Sequence, residues 1–187
     1  LDLALLVELP SPVRVVVLGR LQVLLPSQAH PLVQIRMDAL GVLDVSAETV
    51  SLDATLYDSK ILQFPLTGDM ALRAGWGRQP QFVLAIGGFH PRFAPPPGLP
   101  ALQRLALQLA DGDSLQLRCQ AYLAVTSNTV QFGARVDLHA AGGGFSFDGM
   151  LGFDAILQLA PLAFEVDVGA ALALRYHGRL LMGISFK

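Results

Sequence analysis

Little in this chain invites chemistry. There is one cysteine, Cys119, so no internal disulfide framework can form. Charged residues make up only 15% of the 187, against about 25% in an ordinary soluble domain, and the formal net charge is -2. Lys and Arg are scattered rather than clustered, which leaves no basic field for nucleic acid, and no nucleic-acid partner is expected. No apolar run approaches the roughly 18 residues of a membrane-spanning helix. No segment holds a helical period either. Residues 101–110 come nearest, yet their leucines alternate better than they spiral.

What the chain does have is alternation. In the stretch from Leu115 onward, Leu117, Cys119, Ala121, Leu123 and Val125 take one side while Gln116, Arg118, Gln120, Tyr122 and Thr126 take the other. Successive strand residues point to opposite faces, so a period of two gathers the apolar groups on one face. The same pattern recurs from Val13 to Leu25, from Val33 to Leu43, from Val50 to Leu56 and from Leu62 to Trp76. After Leu115 it continues through Val130, Phe132, Val136 and Leu138, then Phe145, Phe147 and Phe153, then Phe164, Val166, Val168 and Leu172. Leu180, Met182, Ile184 and Phe186 stop in mid-alternation, and the apolar start lacks the positive region of a signal peptide. A fragment of a larger chain is the expectation, with the rest of that chain as a partner.

Punctuation fits the strands. Pro26 to Pro31, Gly77 to Pro80, Asp111 to Ser114, Ser127-Asn128 and Tyr176-His177-Gly178 are turns. Pro65 calls for a bulge or an edge position, since proline cannot donate to a ladder. Residues 90–100 carry five prolines, Pro91, Pro95, Pro96, Pro97 and Pro100, and are expected to split a single β-rich region, 1–187, into two halves. Short connections make consecutive strands antiparallel neighbours. The predicted fold is therefore all-β: a long antiparallel meander forming a curved sheet, an open groove or a barrel-like sandwich.

The residues offer no active site. Gly112-Asp113-Ser114-Leu115 spells an esterase signature, but its serine closes a hairpin instead of opening a helix. Gly142-Gly143-Gly144 has no following Lys-Ser/Thr and reads as a turn. His30, His90, His139 and His177 show no metal-ligand spacing, and Cys119 is a small apolar side chain. Asp137, Asp148, Asp154, Glu165 and Asp167 mark a solvated polar face, on which Asp154→Ser is expected to cost little. No catalytic residue, cofactor or metal is expected, and the chain reads as a non-enzyme.

The apolar face is the candidate site. About nine strands at roughly 4.8 Å spacing and near 40 Å long give it an area on the order of 1,700 Å². A soluble monomer rarely exposes a patch above about 300–600 Å². Leu117, Leu123, Phe132, Val136, Phe147, Phe153, Phe164 and Leu172 are expected to share this face and to contact lipid or acyl chains on its concave side. Two alternatives stay open. One is a structural or assembly segment whose face packs dry against other β-layers. The other is an outer-membrane β-barrel segment, for which aromatics at 7% are not grouped into girdles.

Gly87-Gly88-Phe89-His90-Pro91, the run Leu123-Ala124-Val125-Thr126-Ser127-Asn128-Thr129-Val130-Gln131-Phe132-Gly133-Ala134, and Gly144-Phe145 with Gly152-Phe153-Asp154 resemble a family of large, β-rich bacterial proteins of unknown function. The resemblance covers roughly Gly75 to the end. It implies a large bacterial parent and brings no activity and no catalytic residues. The meander with one oily face is also similar in architecture to the groove-forming repeats of bridge-like lipid-transfer proteins.

Overall fold

The computed structural model describes residues 1–78 and 80–186; Gln79, within the expected turn at 77–80, and Lys187 lie outside the described residues. Among the described residues there is no helix, and fourteen strands form one antiparallel sheet. In chain order they are β1 (Asp2–Glu8), β2 (Arg14–Leu25), β3 (Val33–Asp44), β4 (Thr49–Leu56), β5 (Ser59–Ile61), β6 (Phe64–Thr67) and β7 (Asp69–Gly75). There follow β8 (Gln81–Ile86), β9 (Leu105–Asp111), β10 (Leu115–Thr126), β11 (Thr129–Gly142), β12 (Phe145–Gln158), β13 (Ala163–Tyr176) and β14 (Arg179–Phe186).

The long hairpins β2–β3 and β10 through β13 follow directly from the alternation, with tips at the expected turn residues. Residues 105–111 form a strand, as their leucines alternate. Strand β1 was not among the expected strands. Its Leu3, Leu5 and Val7 take the apolar side, but Leu6 breaks the alternation by falling with Asp2, Ala4 and Glu8, and the strand pairs with β2 from Asp2↔Arg20 to Glu8↔Arg14.

Two irregularities shape the middle of the sheet. β4 and β5 are one strand broken by a bulge: Met37 pairs with Leu56 but Gln34 with Lys60, so one extra residue is accommodated at Tyr57-Asp58, where Asp58 has φ 42°. Ser59 mends the ladder there. Its Oγ accepts from the Arg36 N–H at 2.8 Å, while the Arg36 carbonyl accepts from Tyr57 N–H at 3.0 Å. Pro65 lies beside this bulged hairpin, opposite Lys60.

The proline-rich segment does not divide the sheet. β8 and β9 occupy the same position: β7 pairs with β8 and β6 with β9, and β10 pairs with β8 through Leu123 to Thr126 and with β9 through Gln116 to Ala121. Residues 87–104 leave this position and return to it as a strap. At the junction Asp69 binds both sides, its N–H donating to the Gln103 carbonyl and its carbonyl accepting from Gly87 N–H. The crossing is so tight that it needs glycine. A Cβ on Gly87 (φ 71°) would lie 2.6 Å from the Ala121 carbonyl oxygen and 2.7 Å from Leu105 N. The fourteen strands thus fill eleven positions of a single meander.

Candidate functional site

The register places all eight candidate residues on one face. Leu123 faces Phe132, and the row continues to Ala155 and Val166. Phe153 lies between Ala134 and Val168, and Val136 between Cys119 and Leu151. Leu117 and Leu172 share the row of Leu138 and Gly149, Phe147 faces Leu174, and Phe164 faces Leu157. The rings of Phe132 and Phe153 meet edge to face with centroids 6.2 Å apart. Among the described residues of all fourteen strands, the only charged side chain on this face is Arg179, at the tip of the last hairpin. The face is nevertheless open: Leu123, Phe132, Val136, Phe153, Phe164 and Leu172 all stand among the exposed large hydrophobics, Phe164 at 64%.

The opposite face carries the charges, largely in ion pairs. Arg14 pairs with Asp44 at 2.7 Å, Arg20 with Asp38 at 3.0 Å and Arg73 with Asp53 at 2.8 Å. Further along, Arg135 pairs with Asp137, and Asp148 is held by both His139 and Arg175. The His139 Nδ1–H donates to Asp148 Oδ1 at 2.6 Å, and this bond, with the nearby Arg175 charge, holds the Asp148 carboxyl below the usual carboxylate range.

The strap docks on this polar face. His90 is 2% exposed; its N–H donates to the fully buried Gln131 at 2.9 Å, and Gln131 Nε2 donates in turn to Thr129 at 2.8 Å. Arg92 pairs with Asp167 and Glu165. Arg104 donates to the carbonyls of Gly87 and Phe89 and lies 3.8 Å from the centre of the Tyr122 ring. Tyr122 OH donates to Asp154 Oδ1 at 2.9 Å. Burial, reinforced by that bond to a carboxylate, pushes the phenol pKa up. The geometry depends on Gly133, opposite Tyr122, because a Cβ there would come within 2.4 Å of the ring.

Among the described residues, three of the clefts on the sheet are floored by polar-face residues. The first, about 670 Å³, lies between the strap (Pro91, Arg104) and Gln120, Arg135, Gly152 and Gly169. The second, about 1000 Å³, runs on past Arg118, Asp137 and Arg175. A smaller one of about 350 Å³ lies over Asp2, Arg20 and Asp38. Alternation points to a trough on the apolar side, whereas these three clefts lie on the polar side. Gly152, Gly169 and Ala171 leave the polar floor bare, and the strap raises a wall beside it. The alternation could not show this, because it gives the side of each residue but not what an insertion covers. Tyr122, Gln131, His90 and Arg104 were missed for the same reason. Among the described residues, no group of three or more His, Cys, Asp or Glu side chains could hold a metal ion.

The whole chain, residues 1–187, matches the family described as a family of unknown function, DUF6603. The chain belongs to that family. The match includes the first third, beyond the stretch from Gly75 on which the resemblance rested. No curated protein matches the chain, and no solved structure does. Membership in DUF6603 brings no substrate, and function has to be argued from the two faces.

Proposed function

We propose that this DUF6603 chain is a non-enzymatic β-sheet module whose apolar face holds hydrophobic material, acyl chains of lipid first among them. The observation that carries the reading is the near-absence of charge from one face across fourteen strands, with its large side chains half exposed. Burying a fully exposed Leu, Val or Phe is worth roughly 1.5–3 kcal/mol, so each half-exposed one still has about 1 kcal/mol to gain and a cover over many of them is strongly favoured. On this reading the acyl chains lie along the broad apolar surface, on the side of the sheet away from the two larger clefts.

A second reading is a structural layer, in which another β-sheet covers the same face. It is favoured by the corrugation of the surface: Ala121, Ala134, Ala155 and Gly149 make hollows beside Phe132, Leu151 and Phe153, as interdigitating sheets require. Lipid extraction of the purified protein and uptake of a fluorescent fatty acid separate the two. The lipid reading expects bound acyl lipid, with uptake blocked by Val136→Arg and kept by Val136→Leu. Lipid-free protein that takes up no fatty acid would leave the structural layer.

A further inference from the structure

The two larger clefts share Gln120, Arg135, Met150, Ala171 and Ser185, so they form one trough along the polar face of β10 to β14, with the strap as its end wall. We propose that this trough is a binding site for neutral carbohydrate chains. Its volumes of about 670 and 1000 Å³ match the roughly 300–1,000 Å³ of small-molecule clefts.

Charge selects the class of ligand. Four arginines and five aspartates line the trough, and several already neutralise each other, Arg135 with Asp137 and Arg175 with Asp148. A polyanion therefore meets no net attraction. The side chains free to exchange water for a ligand are on the β10 side, where Gln116, Arg118 and Gln120 face solvent and make no side-chain hydrogen bond to other described residues. They project from the same face at every second residue. A glutamine amide donates and accepts, as a sugar hydroxyl does, and arginine adds planar donors.

The floor excludes the main competitor. An extended peptide binds a sheet by adding to an edge, but the backbone beneath the β10 to β12 part of this trough is already paired on both sides. A ligand here has to be read by side chains.

The test is titration of the folded chain with neutral hexasaccharides (cellohexaose, maltohexaose and chitohexaose), with heparin as the anionic comparator, followed by calorimetry and amide chemical shifts. The expected result is saturable binding of at least one neutral chain, with shifts confined to the polar face of β10 to β13. Gln120→Ala and Arg118→Ala, both on the solvent side, each weaken it roughly three- to tenfold while the circular dichroism is unchanged. Gly169→Leu fills the trough and abolishes binding. No saturable binding of any of the three, binding that the β10 substitutions leave unaltered, or tighter binding of heparin would overturn the proposal.

Discussion

Asp154 shows how far a single residue departs from its apparent place on a solvated face. It lies directly opposite Asp167 across β12 and β13, a like-charge pairing that is unfavourable alone. Arg92 offsets it at Asp167, and the Tyr122 hydroxyl donates to Asp154. Tyr122 is 6% exposed, so removing its acceptor strands a buried hydroxyl. Asp154→Ser is accordingly expected to cost about 1–3 kcal/mol in urea unfolding, not the near-zero that alternation implies. In the Tyr122→Phe background the same change is expected to cost much less, which a double-mutant cycle measures. Asp148 gives a pH dependence. Its carboxyl is held below the ordinary range, so its contribution to stability is complete above the ordinary carboxylate pKa. That contribution is lost as pH falls through the lowered value. Unfolding midpoints measured from pH 5 downward are expected to fall less steeply in Asp148→Asn than in the wild type.

Among the elements, long hairpins were the legible part. Val130 to Leu138 alternates without interruption and Phe145 to Leu157 does so except at Met150 and Ile156, and period two fixes both their type and their register-compatible side. The bulge at Tyr57-Asp58 was not legible, because an extra residue leaves no mark on composition. The strap was legible as an irregular, proline-rich segment, but not as a wall resting on the polar face, since that depends on Arg92 meeting residues 73 and 75 positions away. Ser59 tests the bulge. It is 4% exposed and is the acceptor for Arg36 N–H, so Ser59→Ala leaves that donor without its partner. A loss of about 1–3 kcal/mol is expected, with faster amide exchange confined to Arg36 and its neighbours. Exchange that rises evenly across β3 instead would show that the bulge is not held by this side chain.

At the scale of the molecule, one sheet presents two surfaces of opposite character. Ion pairs and a trough lie on one, and a nearly uncharged apolar expanse lies on the other. The sole cysteine reports on the second surface, since Cys119 sits on the apolar face opposite Val136. The most direct measurement is therefore the rate at which a small thiol reagent labels Cys119 in the folded protein, before and after lipid extraction. If acyl chains cover the face, labelling is slow in the protein as purified, accelerates at least tenfold on extraction, and slows again when fatty acid is returned. Labelling that is equally fast before and after extraction, and indifferent to added fatty acid, would contradict the account.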